Sequence, residues 1–329
     1  MSERITDVAV AIFLKPDGTF LLASRPDGKP YPGYWEFPGG KIEPGESVRE
    51  ALQRELVEEL NVRIQSASPW FTFIMRYTHA TVRLHCWRVL DWEGDMHGME
   101  GQAFAWQSID AITVQPTLPG CVPIFRALGL PTCLWISNAG EMGVDAYLGA
   151  LEGALGRGAA IVQIREKEFA PGSLRRFAEE LMLRCRRFGV RVVVNDDAAL
   201  AMAISAAGVH LPARRLAQLP HRPDLPLVGA SAHSREEIER AAALGCDYCV
   251  LGPVKPTPSH PGAPGLGWER FADMIVDAPV PVFALGGLVP GDLARAQAAG
   301  AHGIAMQRGL TAALPAAGIA AATAAAKLA

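Results

Sequence analysis

Residues 39–62 read Gly39-Gly40-Lys41-Ile42-Glu43-Pro44-Gly45-Glu46-Ser47-Val48-Arg49-Glu50-Ala51-Leu52-Gln53-Arg54-Glu55-Leu56-Val57-Glu58-Glu59-Leu60-Asn61-Val62. A Gly- and Pro-punctuated loop runs directly into a helical pattern. Ser47 and Glu50 have capping-box spacing, so a helix is expected to start at Val48. Val48, Leu52, Leu56 and Leu60 make its apolar stripe. Glu55, Glu58 and Glu59 stand at i, i+3 and i+4 and share another face. Like charges so placed repel unless a cation neutralises them, and carboxylate oxygens suit Mg²⁺ or Mn²⁺ together with substrate phosphates. They also lie in the half of the helix that its dipole disfavours for anions, which favours a bound cation over a bare acidic surface.

Around this stretch the first 130 or so residues carry Trp, Phe and acidic side chains, with strand-like runs at Val8–Leu14, Phe20–Ala23 and Val82–Val89. The segment Arg126-Ala-Leu-Gly-Leu-Pro-Thr-Cys133 reads as a junction. Two domains are expected, 1–130 and 131–329, in keeping with the 329-residue length. The net charge of −3 leaves no global basic field for polymeric nucleic acid. The longest early apolar run, Val8 to Leu14, is far shorter than the ~20 residues of a membrane span, so no membrane partner is expected. Six scattered cysteines, Cys246-Asp-Tyr-Cys249 among them, read as reduced buried thiols of a cytoplasmic enzyme.

After the junction the text turns Ala- and Gly-rich. Apolar runs recur at Leu134–Ser137, Ile161–Arg165, Val192–Asn195, Gly208–Leu211, Leu227–Ser231, Asp247–Gly252, Val282–Gly287 and Gly303–Gln307, with helical stretches between most of them. Eight nearly continuous apolar strands are what a closed (β/α)8 TIM barrel requires. An open doubly wound sheet is the alternative. Ala312 to Ala329 is expected to be the closing helix. In a barrel the strand C-termini line one mouth, which gathers Gln163, Arg165, Lys167, Asn195, Asp196, Gly286 and Gly287. Arg and Lys there suit a phosphate or diphosphate, and glycines let backbone N–H groups approach it.

The stretch 40–62 resembles the Nudix box, G-x5-E-x7-R-E-U-x-E-E-x-G-U, through Gly40, Glu46, Arg54, Glu55, Leu56, Glu58, Glu59 and Val62. Asn61 replaces the last Gly, and Asn is the next best residue for a left-handed C-cap. The resemblance, over about residues 4–130, implies an α/β/α sandwich around a mixed sheet, an α+β domain beside the α/β barrel. Trp35-Glu36-Phe37-Pro38-Gly39-Gly40-Lys41, Arg25 and His97-Gly-Met-Glu100-Gly-Gln102 are similar to MutT-type members. These hydrolyse oxidised purine nucleotides such as 8-oxo-dGTP to monophosphate and pyrophosphate, a nucleotide-sanitation task that protects DNA replication. The resemblance implies Mg²⁺ (or Mn²⁺) at Glu55, Glu58, Glu59, Glu100 and Gly40. It makes Glu55 or Glu100 the base, Arg54 the residue that orients the glutamates and Glu46 a brace of the loop. Arg25, Glu36, Phe37, Lys41 and Cys121 would bind substrate. Pro119-Gly120-Cys121 stands where a purine-reading Asn is usual, and Cys is a poor hydrogen-bond partner.

Residues 132–325 resemble thiamine phosphate synthase, which joins an aminopyrimidine diphosphate to a thiazole phosphate with Mg²⁺ on aspartates. Gln163, Arg165, Lys167, Asn195, Asp196, Ser231, Thr257, Gly286, Gly287 and Arg308 are the corresponding site residues. Three departures bear on this. Pro212-Ala213-Arg214-Arg215 puts Arg where the second metal-binding Asp is usual. Thr257-Pro258-Ser259-His260 puts His for a diphosphate-binding Lys, and Met306-Gln307-Arg308 replaces Val-Ser. A lost carboxylate and an added cation weaken Mg²⁺ binding. The expectation is a degenerate barrel that binds a thiamine precursor or phosphate, with an active synthase or tautomerase-like domain as the alternative. A further alternative has the hydrolase acting on a diphosphate of thiamine synthesis.

Overall fold

The protein is described from a computed structural model that covers residues 5–155, 160–257 and 264–308. The chain divides into two compact units, Met1–Leu128 and Gly129–Ala329.

In the first unit a four-stranded sheet has the order Gly39–Lys41, Ile5–Phe13, Thr81–Glu93, Arg63–Arg76. Ile5–Phe13 pairs parallel with Thr81–Glu93 and antiparallel with Gly39–Lys41, so the sheet is mixed. A second sheet orders Trp35–Glu36, Phe20–Ser24, Phe104–Gln107. Alternation along the first strand splits the core between two faces. Val10 and Ile12 pack with Phe20, Leu22 and the Cys121–Leu128 helix, while Ala9, Ala11 and Phe13 pack with Leu52, Leu56 and Leu60. This is the expected sandwich. The Arg63–Arg76 strand escapes alternation because its pairing with Thr81–Glu93 slips at Ile64/Ser66, Ser66/Ala67 and Pro69/Phe71.

The helix spans Val48–Leu60, as its cap and stripe predict. Both halves of the Ser47/Glu50 box form, and Asn61 adopts φ 58° and ends the helix. Leu52, Leu56 and Leu60 are fully buried. Each such leucine contributes about 1.5–3 kcal/mol of hydrophobic stabilisation. The buried stripe fixes the helix rotation, and with it the direction of the acidic face.

In the second unit eight parallel strands close into a barrel: Cys133–Ile136, Ile161–Ile164, Arg191–Asn195, Gly208–Leu211, Leu227–Ala232, Tyr248–Leu251, Val282–Leu285 and Gly303–Met306. Closure rules out the open sheet. Strand residues are buried on both sides but still alternate. Leu134, Ile136, Ile161, Val193, Tyr248, Val250 and Phe283 fill the interior, while Trp135, Val162, Val192 and Val194 meet the outer helices. Tyr248 needs a hole opposite it, and Gly229 provides one, since a Cβ there would lie 2.1 Å from the Tyr248 ring. Cys246 and Cys249 are buried free thiols. Among the described residues no helix is long and apolar enough to cross a membrane. The closing helix expected at 312–329, and His260, lie outside the described residues.

Candidate functional site

In the first unit the helix presents its acidic face beside the Gly39–Lys41 strand. Gly39 adopts φ 141°, and a Cβ there would sit 2.1 Å from the Ala9 carbonyl oxygen. A Cβ on Gly40 would lie 2.0 Å from Cδ of Glu55, so the Glu55 carboxylate rests directly on this glycine. Arg54 gathers the box acids. Its Nε and Nη2 donate to the two Glu46 oxygens at 2.8 and 3.0 Å, and Nη1 donates to Glu55 at 2.8 Å and Glu58 at 3.4 Å. Nη2 also donates to the Lys41 carbonyl at 3.0 Å, tying helix to loop. The hydrogen bonds from Arg54 hold the Glu46 carboxyl down at about 2, and the Glu43 N–H adds to this.

At the end of the helix, Lys29 bridges Glu100 at 2.6 Å and Glu59 at 3.4 Å. The Glu100 loop docks on the open helix end: His97 N–H donates to the Leu60 carbonyl and Met99 N–H to the Glu59 carbonyl. Gln102, itself buried, donates to the Glu59 carbonyl at 2.9 Å and accepts from the Glu100 N–H at 2.8 Å. Burial pushes the Glu59 carboxyl up to about 7, and Glu55 and Glu36 add to this against Lys29. Burial also works against the Lys29 charge, but Glu100 and Glu59 outweigh it and raise the ammonium.

These acids fit a divalent cation in their chemistry. All donors are oxygens, and Glu59 is a mostly buried carboxyl beside other carboxyls with one lysine to offset them. Arg54 and Lys29 hold them here in two groups, and no three acidic, His or Cys side chains converge on one point among the described residues. Glu55, Glu58 and Glu59 share a helix face within about one turn, so rotation of side chains suffices to bring them together.

The remaining expected residues are placed unevenly. Arg25 donates to Glu36 and to the Pro30 carbonyl, making a half-buried ion pair. Lys41 is exposed. Phe37 is 5% exposed and packs on Phe20 and Phe125, and Cys121 is 3% exposed with its thiol donating to the Trp35 carbonyl. This runs against the direct substrate contact expected of Phe37 and Cys121: Phe37, just past the Trp35–Glu36 strand, turns into the core, and Cys121 opens the Cys121–Leu128 helix on its buried side. Sequence reading missed Lys29 and an aromatic group of Tyr31, Tyr34, Tyr77 and His79, whose rings pair at 5.3–5.9 Å, and gave Gln102 no role beyond its place in the motif. Tyr77 lies close enough to Glu36 and Arg25 to feel their charges, and burial pushes its hydroxyl up to about 12. Loop positions far apart in the chain carry no periodic signal for such a group.

In the second unit the strand C-termini surround a cavity of about 730 Å³. Gln163, Arg165, Lys167, Asn195, Ser231, Thr257, Gly286, Gly287 and Arg308 all line it. Gln163 donates to Asn195 at 3.0 Å, and His210 meets Ser231 at 2.9 Å. Burial pushes the His210 imidazole down to about 3, and Arg165 adds to this. Burial lowers the Arg165 guanidinium too, against Glu166. Arg308 pairs with Glu141. Asp196 departs from the expectation: it does not line the cavity and ion-pairs with Arg214 and Arg215.

A family model described as Thiamine monophosphate synthase matches residues 133–310, and one described as NUDIX domain matches residues 4–125. The putative thiamine-phosphate synthase of Geobacter sulfurreducens is 36% identical over 176 residues, 52% of this chain and 82% of that protein. The CTP pyrophosphohydrolase of Escherichia coli is 37% identical over 118 residues, 36% of this chain and 87% of that protein. A solved thiamine phosphate pyrophosphorylase from Pyrococcus furiosus is 25% identical, with a TM-score of 0.48 over 57% of this chain and 90% of that one. With the box acids gathered on one helix and the cavity at the barrel mouth, this chain belongs to both families: a Nudix hydrolase domain fused to a thiamine phosphate synthase domain.

Proposed function

We propose that the first unit is a Mg²⁺-dependent nucleoside triphosphate pyrophosphohydrolase. The observation that carries this reading is the gathering of Glu55 and Glu58 by Arg54, with Glu59 and Glu100 joined by Lys29 at the end of the same helix. Glu55, Glu58, Glu59 and Glu100 would hold Mg²⁺, which when bound neutralises phosphate oxyanions. Arg54 keeps Glu55 and Glu58 oriented, and Glu46 anchors Arg54 to the loop. Water attack at phosphorus releases a nucleoside monophosphate and pyrophosphate, the water's proton passing to Glu55 or Glu100. Lys29, the cation now paired with Glu59 and Glu100, would be available to phosphate oxygens when those acids hold a metal instead.

Tyr31, Tyr34 and Tyr77 beside the Arg25–Glu36 pair offer ring faces for a base. The leading substrate is an oxidised purine triphosphate such as 8-oxo-dGTP. A second reading, a cytosine nucleotide, is favoured by the buried Cys121, which leaves the usual purine-reading position without a polar group, and by the name of the E. coli relative. Pyrophosphate release by the full chain from 8-oxo-dGTP, dGTP and CTP decides between them. A kcat/KM for 8-oxo-dGTP no higher than for dGTP removes the first reading. Undiminished turnover in Glu58→Gln removes the mechanism.

For the second unit we propose a ligand-binding barrel that has lost synthase activity, supported by Arg215 at an expected metal-ligand position and by the cationic cavity. Full complementation of a synthase-deficient strain overturns this.

A further inference from the structure

The metal expected in the barrel does not fit the residues present. A hard divalent ion needs free carboxylate oxygens, and of the two expected metal-binding aspartates only Asp196 is present, while the neighbouring Asp197 is occupied in capping the next helix through the Leu200 N–H. Asp196 Oδ2 accepts a hydrogen bond from Arg214, Asp196 Oδ1 lies 3.1 Å from Arg215 Nε as an ion pair without hydrogen-bond geometry, and the residue stands outside the cavity lining. A second cation arriving there meets two guanidiniums already in place. The cavity itself is lined by Arg165, Lys167, Arg214 and Arg308 and by no Asp or Glu among the described residues. Arg308 is paired with Glu141, whereas Arg165 and Lys167 have no acidic side chain paired with them among the described residues. Arg165 is half-buried, and a guanidinium withdrawn from water calls for an anionic partner. On the floor, Gln163 is 2% exposed and leaves its Oε1 without a partner among the described residues. A buried acceptor so placed asks for an N–H donor on a ligand.

We propose that the barrel binds a phosphate monoester of an amino-bearing heterocycle without any divalent ion. Arg214, held in place by Asp196, supplies beside Arg165 and Lys167 the positive charge that a metal would otherwise bring. Asp196 is thereby a positioning residue for a guanidinium and not a metal ligand. A planar guanidinium matches phosphate oxygens in pairs, which an ion–carboxylate bridge does not need to do. This rests on the reading of the barrel as a ligand-binding unit.

The test is calorimetric titration of the full chain with thiamine monophosphate, which carries an aminopyrimidine and a phosphate monoester and has no diphosphate linkage for the hydrolase. Titrations are run in excess EDTA and in excess MgCl₂. The expected Kd agrees between the two within about threefold, because no metal takes part. Arg214→Ala weakens binding about tenfold or more in both buffers, as loss of a charge-assisted hydrogen bond does. Asp196→Asn, which frees Arg214 without removing it, weakens binding by a smaller factor in both. Circular dichroism melts confirm that both variants fold. Binding seen with Mg²⁺ alone, or an Asp196→Asn loss confined to the Mg²⁺ buffer, overturns the metal-free site while leaving the ligand-binding reading. Binding that is indifferent to Arg214→Ala also overturns it. No binding in either buffer overturns both.

Discussion

Gly40→Ala separates catalysis from folding more cleanly than any other single change here. The added Cβ would sit 2.0 Å from Glu55 Cδ and 2.2 Å from each carboxylate oxygen. Carbon atoms in contact stay about 3.5–4.0 Å apart, so the carboxylate must retreat by roughly 1.5–2 Å. The clash falls on the far end of a long flexible side chain, with no backbone atom among the nearest neighbours. A χ rotation of Glu55 relieves it at about 0.5–1.5 kcal/mol. The fold is then nearly unaffected. Catalysis is affected strongly, because a displacement of about 1 Å in a catalytic group costs on the order of 10²-fold. Pyrophosphate release under saturating nucleotide and Mg²⁺ is therefore expected to fall about 100-fold or more in kcat. The first thermal transition is expected to move by only a few degrees. Wild-type kcat in Gly40→Ala would refute the placement of Glu55 in the reaction. A collapse of the melt would show that the glycine serves the fold instead.

Three further outcomes are expected. Gln102→Ala removes the side chain that links the Glu100 N–H to the Glu59 carbonyl at the helix end, leaving the backbone bonds of His97 and Met99 there; stability should fall by about 1–3 kcal/mol, with faster amide exchange at Glu100 and lower kcat, while unchanged exchange would deny the link. Cys121→Ser keeps a small donor on the Trp35 carbonyl, so the ratio of kcat/KM for 8-oxo-dGTP and CTP should stay within about threefold of wild type; a larger shift would return this residue to the substrate site. The third concerns pH. His210 titrates near 3 when folded, below its unfolded value of about 6.5, so the unfolded chain binds more protons. Its contribution is complete above pH 6.5 and is lost as pH falls from there toward 3. At pH 5 the barrel should be weaker by about 2 kcal/mol from this group, and urea melts of His210→Gln should show a shallower acid slope than wild type.

Local chemistry in the chain was enough to specify the box helix and its ends. Ser47 and Glu50 satisfy the first N–H groups, Asn61 tolerates the left-handed conformation, and Leu52, Leu56 and Leu60 choose the buried side. The acidic face follows, since residues three and four apart must share a side. The eight barrel strands were legible for a similar reason: strands covered on both faces read as apolar runs, and their C-termini share a mouth. What escaped the sequence depends on segments distant along the chain. Lys29 reaches Glu100 across 71 positions, and the tyrosine group joins residues from separate loops. Cys121 and Phe37 look available in a motif yet are core residues, because the Cys121–Leu128 helix turns Cys121 inward and the packing of distant Phe20 and Phe125 draws Phe37 into the core. Asp196 looks like half of a metal site, and only folding brings Arg214 and Arg215 onto it. Helix and strand periodicity are set by neighbours a few residues away, whereas the pairing of charges is set by whichever distant groups closure of the sheet or barrel places beside them.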